Sequence, residues 1–168
     1  SLSQYEAHGG LAGLRTALTH TDVVGEVLAS GLRGRGGAGF PAGIKWRTVL
    51  EAAGDQKYVV CNADEGDSGT FADRMLMEGD PFTLIEGMAI AGIAVGATYG
   101  YIYIRSEYPS AIETMNKAIE VGRSSGVLGK SVLGSEKSFD LEVRVGAGSY
   151  VCGEETAMLE SLEGKRGM

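Results

Sequence analysis

The chain has 168 residues, enough for one compact domain with a real core and too few to expect two. Hydrophobic residues make up 43% and charged residues 22%, an ordinary globular balance, and the longest apolar stretch, broken by Gly92 and Gly96, is far too short to span a bilayer. Net charge is −7 with the 15 Lys and Arg scattered, which argues against nucleic acid and other polyanions as partners.

In chain order, residues 10–19 and 21–30 read as short helices, the second with Thr21 as its N-cap and Gly31 as its stop. A loop, "GLRGRGGAGFPAGIKW" (31–46), follows, and then a helix over 45–53. "KYVVCNA" (57–63) reads as a buried strand. "FADRMLMEG" and "PFTLIEGMAIAGIAVGA" read as helices, Pro81 taking the permitted first helical position. A second strand over 99–106 precedes an amphipathic helix over 109–126, with Ile112, Met115 and Ile119 at helical spacing. A third strand over 139–147 and a helix over 153–164 complete the pattern. Strands separated by helices predict an α/β three-layer sandwich with a mostly parallel sheet, and ligands of such sheets bind beyond the carboxyl ends of the strands. The loops expected there are "NADEGDSG", "RSEYPS" and "GAGSYVCGEE", and the first and third are both acidic and glycine-rich.

The chain carries 27 glycines, more than twice an average share of about 7%. They sit between periodic segments, the mark of a folded protein with several functional turns. "GRGGAG" (34–39) matches G-x-G-x-x-G, but that fingerprint needs a strand before it and a helix directly after it. A helix precedes it here, and Phe40-Pro41 is expected to break the exit, so the ordinary dinucleotide reading is disfavoured. The loop is then either simply flexible or, with Arg35 and Lys45 for phosphate charge and Phe40 for stacking, made for a flat phosphorylated ligand, which that mixture favours. "GVLGKS" (126–131) has Ser124 where a phosphate-binding P-loop needs glycine, which leaves Lys130 a solvated turn residue. Glu154 and Glu155 read either as first-turn acids on a helix dipole or as carboxylates for ribose hydroxyls or a redox ring. Asn62, Asp64, Glu65 and Asp67 share one loop without the EF-hand register, so they are solvated turn acids or acceptors for hydroxyl and flavin N–H groups. His8 and His20 lie away from these loops, and no nucleophile elbow occurs. Cys61 and Cys152 cannot furnish a four-cysteine metal or iron–sulfur site, and reduced cytosolic thiols are the default.

Read together, the first glycine loop, "NADEGDSGT" and "GAGSYVCGEETAMLESLEGKRGM" resemble the NADH-binding flavoprotein subunit of respiratory Complex I and its soluble relatives. The resemblance covers nearly the whole chain and implies a Rossmann-like FMN-binding domain that exchanges hydride between NAD(H) and FMN, with no catalytic acid, base or metal of its own. It implies that Gly34, Arg35, Gly36, Lys45, Asn62, Asp64, Glu65, Tyr150, Gly153 and Glu154 contact FMN. Gly37, Phe40, Lys45, Asp67 and Glu155 would face NAD(H). "GDSGTFADRMLMEGDPF", with Asp67-Ser68 where the Complex I branch has Glu-Pro, is most similar to the diaphorase subunit of NAD-dependent formate dehydrogenase. Thr48 stands where some members carry an adenine-stacking aromatic. The resemblance further implies a cytoplasmic, multi-subunit oxidoreductase with an iron–sulfur partner. Ubiquitin-like and iron–sulfur cluster domains are expected beyond residue 168, residues 1–168 forming the nucleotide-binding part. The alternatives are a subunit of an NAD-reducing hydrogenase or of Complex I, or a nucleotide-binding module without turnover.

Overall fold

Three runs rich in Val, Ile and Tyr pair side by side, because β-branched and aromatic side chains suit a pleated, half-buried surface. They are β1 (Tyr58–Ala63), β2 (Tyr99–Arg105) and β3 (Asp140–Gly146), in spatial order β1-β2-β3 and parallel throughout. Tyr58 pairs with Tyr99, and Tyr99 with Asp140. The structure, a computed structural model, describes residues 1–35, 37–147 and 155–164. Parallel neighbours cannot be joined by a tight turn, so helices carry the chain back. They are α5 (Ala72–Gly79) and α6 (Pro81–Val95) between β1 and β2, and α7 (Pro109–Ser124) between β2 and β3. Before the sheet come α1 (Leu2–Ala7), α2 (Ala12–Thr19), α3 (Val23–Ala29) and α4 (Ala42–Glu51), and after it α8 (Glu155–Leu162).

Strand side chains alternate between faces. Val59, Cys61, Ile102, Ile104, Leu141 and Val143 join one core with α6 and α7. On the other face Tyr103 and Val60 pack against Met158 and Leu162 of α8, and the Tyr103 hydroxyl lies 2.8 Å from Ser161 Oγ. Helices thus cover both faces, the expected three-layer α/β sandwich, and α2, α3 and α4 add a further layer outside α6. Helix α6 is apolar almost all round and buries Ile85, Met88, Ala89, Ala91, Gly92 and Val95, as a helix between two layers must. Phe139 fills space that two glycines leave: a Cβ at Gly92 would lie 2.2 Å from its ring, and one at Gly100 3.1 Å away. Gly43 likewise lets α4 approach Leu28 of α3, whose Cα would stand 2.5 Å from an added Cβ.

Glu86 puts a carboxylate into this apolar helix. It accepts hydrogen bonds from the Tyr5 hydroxyl and from the N–H groups of Leu11 and Leu14, both at 3.0 Å. Leu11, in the left-handed region at φ 66, offers no side-chain cap to α2, so Glu86 supplies that cap from across the core.

Local differences from the sequence reading have local causes. Helix α1 is too short for a periodic pattern. The N-cap of α3 is Asp22, not Thr21, because the Asp22 carboxylate reaches the Gly25 N–H at 2.8 Å. Phe40-Pro41 does not break the exit of the glycine loop: Pro41, at φ −61 and ψ 119, is the N-cap of α4, which opens at Ala42. His8 and His20 are exposed, and Lys130 lies exposed in a bend, as expected. Of the helix expected over 153–164, the first two residues and Cys152 lie outside the described residues.

Gly92→Ala should lower the free energy of unfolding by about 2 kcal/mol, overpacking against Phe139 outweighing the gain in helix propensity, as read by urea denaturation. Burial, reinforced by the Glu86 hydrogen bond, pushes the Tyr5 hydroxyl from 10.0 up to about 12. A raised phenol keeps its proton longer in the folded state, so its stabilising effect is complete below pH 10.0 and is lost as pH rises through about 12. Tyr5→Phe should therefore give a lower stability–pH curve that is flatter over that interval.

Candidate functional site

Because the sheet is parallel, all three strands end at one edge. Asp64–Asp67 follow β1, Ser106–Tyr108 follow β2, and the segment leading to Glu155 follows β3. The glycine loop reaches the same edge from α4. Its stem is pinned where the Gly34 N–H donates to Phe40 O at 2.9 Å, the Ala42 N–H to Leu32 O at 2.8 Å, and Arg33 Nη1 to Gly39 O at 2.8 Å. Gly37, at φ 102, and Gly39, at φ 57, need the left-handed region that glycine tolerates. A Cβ at either would meet nothing within 4 Å, and one at Gly34 would meet only the Phe40 backbone, 3.7 Å away. The loop therefore presents bare backbone to open space, and its glycines at 34, 37 and 39 are not needed for packing within the chain.

Lys45, in the first turn of α4, lies 5.9 Å over the Phe40 ring, and its Nζ is 4.0 Å from Glu155 Oε1 at the start of α8. Both charges are more than half exposed, so the pair adds little stability, and its significance is positional. It joins the first and third predicted segments and groups Phe40, Lys45 and Glu155, three of the residues expected to face a dinucleotide. Arg35 is exposed at the loop tip. Gly36, Tyr150, Gly153 and Glu154 lie outside the described residues.

The acidic loop is ordered from below. Asn62, in β1, accepts the Asp64 N–H on Oδ1 at 3.2 Å. Glu65 is buried, and its carboxylate turns into the start of α5, where Oε2 accepts the Asp73 N–H at 2.8 Å. Tyr108 donates its hydroxyl to Glu65 Oε1 at 3.2 Å, and Arg105 Nη1 donates to Glu65 O at 2.6 Å. The guanidinium groups of Arg74 and Arg105 stand 5.5 and 5.4 Å from the Tyr108 ring centre. Asp67 is exposed, and its carbonyl accepts the Thr70 N–H at 3.2 Å. Burial pushes the Asp64 carboxyl above its usual range, with Arg105 opposing and Glu107 adding to the shift. Burial also raises the Cys61 thiol to about 12, which makes it an unreactive packing group. Arg74, Arg105 and Tyr108 carry no sequence signal of their own. "RSEYPS" falls at the expected edge, but nothing local marks Tyr108 as a partner of a carboxylate 43 positions away.

A parallel α/β sheet with glycine-rich and acidic loops gathered at the carboxyl ends of its strands defines the class, an α/β domain with its ligand edge there. The chain belongs to the Nuo51 FMN-binding domain family of the Complex I flavoproteins, which it matches over residues 27–168. It is 56% identical to the NADP-reducing hydrogenase subunit HndC of Solidesulfovibrio fructosivorans, over 99% of this chain and 34% of that protein. It is 49% identical to the mitochondrial NADH-ubiquinone oxidoreductase 51 kDa subunit of Neurospora crassa, over 88% of this chain and 31% of that one. Among solved structures it resembles the NAD+-reducing [NiFe]-hydrogenase in its air-oxidized state, with a TM-score of 0.81 and 40% identity over 95% of this chain and 26% of that one. The chain thus spans well under half the length of these relatives.

A carboxyl raised by burial disfavours the folded state once ionised. Its folded form binds the extra proton, so stability falls as pH rises through the carboxylate range. Asp64→Asn should therefore raise the thermal midpoint of the ligand-free protein at neutral pH, and the difference should vanish below the carboxylate range.

Proposed function

We propose that this domain holds FMN and NAD(H) against each other at the carboxyl edge of its sheet, as the dehydrogenase part of a multi-subunit oxidoreductase. The observation that carries this is the glycine loop, whose bare backbone faces open space beside Phe40, Lys45 and Glu155. The residues fit such a ligand pair. Gly34, Arg35, Gly36 and Lys45 offer N–H groups and positive charge for FMN, while Asn62, Asp64, Tyr150, Gly153 and Glu154 offer acceptors and backbone. Glu65, expected among them, is instead buried with its carboxylate committed to α5 and Tyr108, and supports the loop. Gly37, Phe40, Lys45, Asp67 and Glu155 would serve NAD(H), Phe40 providing the stacking surface.

The chemistry belongs to the cofactor pair: hydride exchange between nicotinamide and flavin, with electrons leaving singly afterwards. The chain's own work is to bind, orient and exclude water. An open backbone lets two flat rings approach to roughly 3–3.5 Å, the spacing that makes transfer effectively unimolecular. Lys45, exposed and loosely paired with Glu155, can exchange that partner for a phosphate at little cost. Glu155 favours the positively charged nicotinamide of NAD⁺ over the neutral ring of NADH.

Electrons would pass to iron–sulfur clusters in other segments or subunits of the complex, which we place in the cytoplasm. Among the described residues no helix is long and apolar enough to cross a membrane. For the parent complex, Asp67-Ser68 and the run after it favour an NAD-dependent formate dehydrogenase. The likeness to the solved NAD+-reducing hydrogenase supports a second reading, an NAD-reducing hydrogenase. Formate-driven NAD⁺ reduction by the purified complex supports the first parent, and hydrogen-driven reduction the second.

The function is tested by an anaerobic visible spectrum of the FMN-loaded protein. A flavin band that bleaches on adding NADH supports the proposal, whereas bound flavin that NADH leaves oxidised would reduce the domain to a nucleotide-binding module. Glu155→Gln should weaken NAD⁺ relative to NADH by about threefold, as expected for one partly exposed charge. An unchanged ratio of dissociation constants would remove Glu155 from the nicotinamide site.

A further inference from the structure

We infer that Tyr108 is a positioning residue for the acidic loop of the cofactor site, acting through Glu65. The inference rests on the functional reading above, and it concerns a side chain that no part of that reading uses.

Tyr108 is almost wholly buried, at 6% exposure, with the guanidinium groups of Arg74 and Arg105 over its ring at 5.5 and 5.4 Å from the centre. Two cations against one ring fix its plane and leave the hydroxyl as the free variable. That hydroxyl donates to Glu65 Oε1 at 3.2 Å and stands 3.5 Å from both Glu65 O and Thr70 O. One phenol therefore sits against both ends of the segment 66–69, most of which is exposed. Arg105 completes the clamp by donating to Glu65 O at 2.6 Å. Burial and the neighbouring Glu65 charge raise the Tyr108 hydroxyl above its usual value, so it stays a protonated donor throughout the neutral range.

The segment so held carries Asp67, Asp64 directly precedes its anchor Glu65, and the strand that feeds it carries Asn62. No strand pairing extends past Ala63, so beyond that point the clamp takes over from the sheet. Acceptors that recognise hydroxyl and ring N–H groups must be held to a few tenths of an ångström, which a solvated loop alone does not achieve. Glu65 is thus held by the body of the protein, and it transmits the position of Tyr108 to its exposed neighbours.

The strand supplies its own control. Tyr99, at the opposite end of β2, donates its hydroxyl to Glu142 Oε2 at the same distance of 3.2 Å, far from the site. Tyr108→Phe and Tyr99→Phe each remove one phenol–carboxylate hydrogen bond and keep the ring. The test uses the full-length subunit, stripped of flavin and titrated with FMN, and follows quenching of flavin fluorescence. Tyr108→Phe should raise the FMN dissociation constant about fivefold, the effect of one weakened hydrogen bond, and Tyr99→Phe should leave it unchanged. Arg105→Met, which removes the donor to Glu65 O, should shift it the same way as Tyr108→Phe and decides the matter if that variant does not fold. Equal weakening by both tyrosine changes would reveal a merely structural role and overturn the inference, as would a Tyr108→Phe protein that binds like wild type. A wild-type subunit that quenches no flavin overturns the functional reading, and this inference with it.

Discussion

Parallel pairing of three strands is the constraint on which the site depends. A parallel strand cannot return through a tight turn, so each crossover must run back along a helix before the next strand begins. The consequence is geometric: all three strands point one way and stop at one edge, with their in-register pairing keeping the ends level. Residues 62–67, Tyr108 and Glu155, spread over more than half the chain, gather at one edge for this reason. The glycine loop reaches the same edge from outside the sheet, through α4.

What places α4 is packing rather than charge. Phe139 is wedged into the space left by Gly92 and Gly100, which sets the height of α6 above the sheet. Glu86 then ties α2 and Tyr5 to α6 through three hydrogen bonds to one buried carboxylate. Gly43 lets α4 close onto α3. Each contact would be costly to break, since an overpacked ring or orphaned N–H groups have no solvent to relax into. Exposed ion pairs such as Lys45–Glu155 weigh little beside them, which leaves the site's charges free to serve ligands.

The layout of the fold is legible in the sequence because strand and helix periods are local signals. The three strands, the long apolar α6 and the stripe of α7 all lie within a residue or two of their expected bounds. The glycine loop is legible as a loop, its glycines at 37 and 39 taking the left-handed backbone that glycine tolerates. Its exit is not: Phe40-Pro41 looks like a break, whereas the backbone angles of Pro41 let it serve as the cap from which α4 starts. Glu65 shows what a sequence withholds. Composition makes it one acid among several in a polar loop, but the fold buries it and commits its carboxylate to α5 and Tyr108. Likewise Glu86 caps a helix more than seventy positions away, and no periodicity marks such a partner.

Gly34→Ala separates a loop backbone kept bare for a ligand from one kept bare for the fold. Gly34 does not need the left-handed region, and an added methyl would meet only the Phe40 backbone at ordinary contact distance. If the ligand is what the bare backbone serves, the expected result is an unchanged thermal midpoint in the flavin-free protein together with FMN binding weakened by at least about tenfold, the cost of a steric clash of about 1.4 kcal/mol or more. FMN binding equal to that of the parent protein, at the same stability, would contradict it.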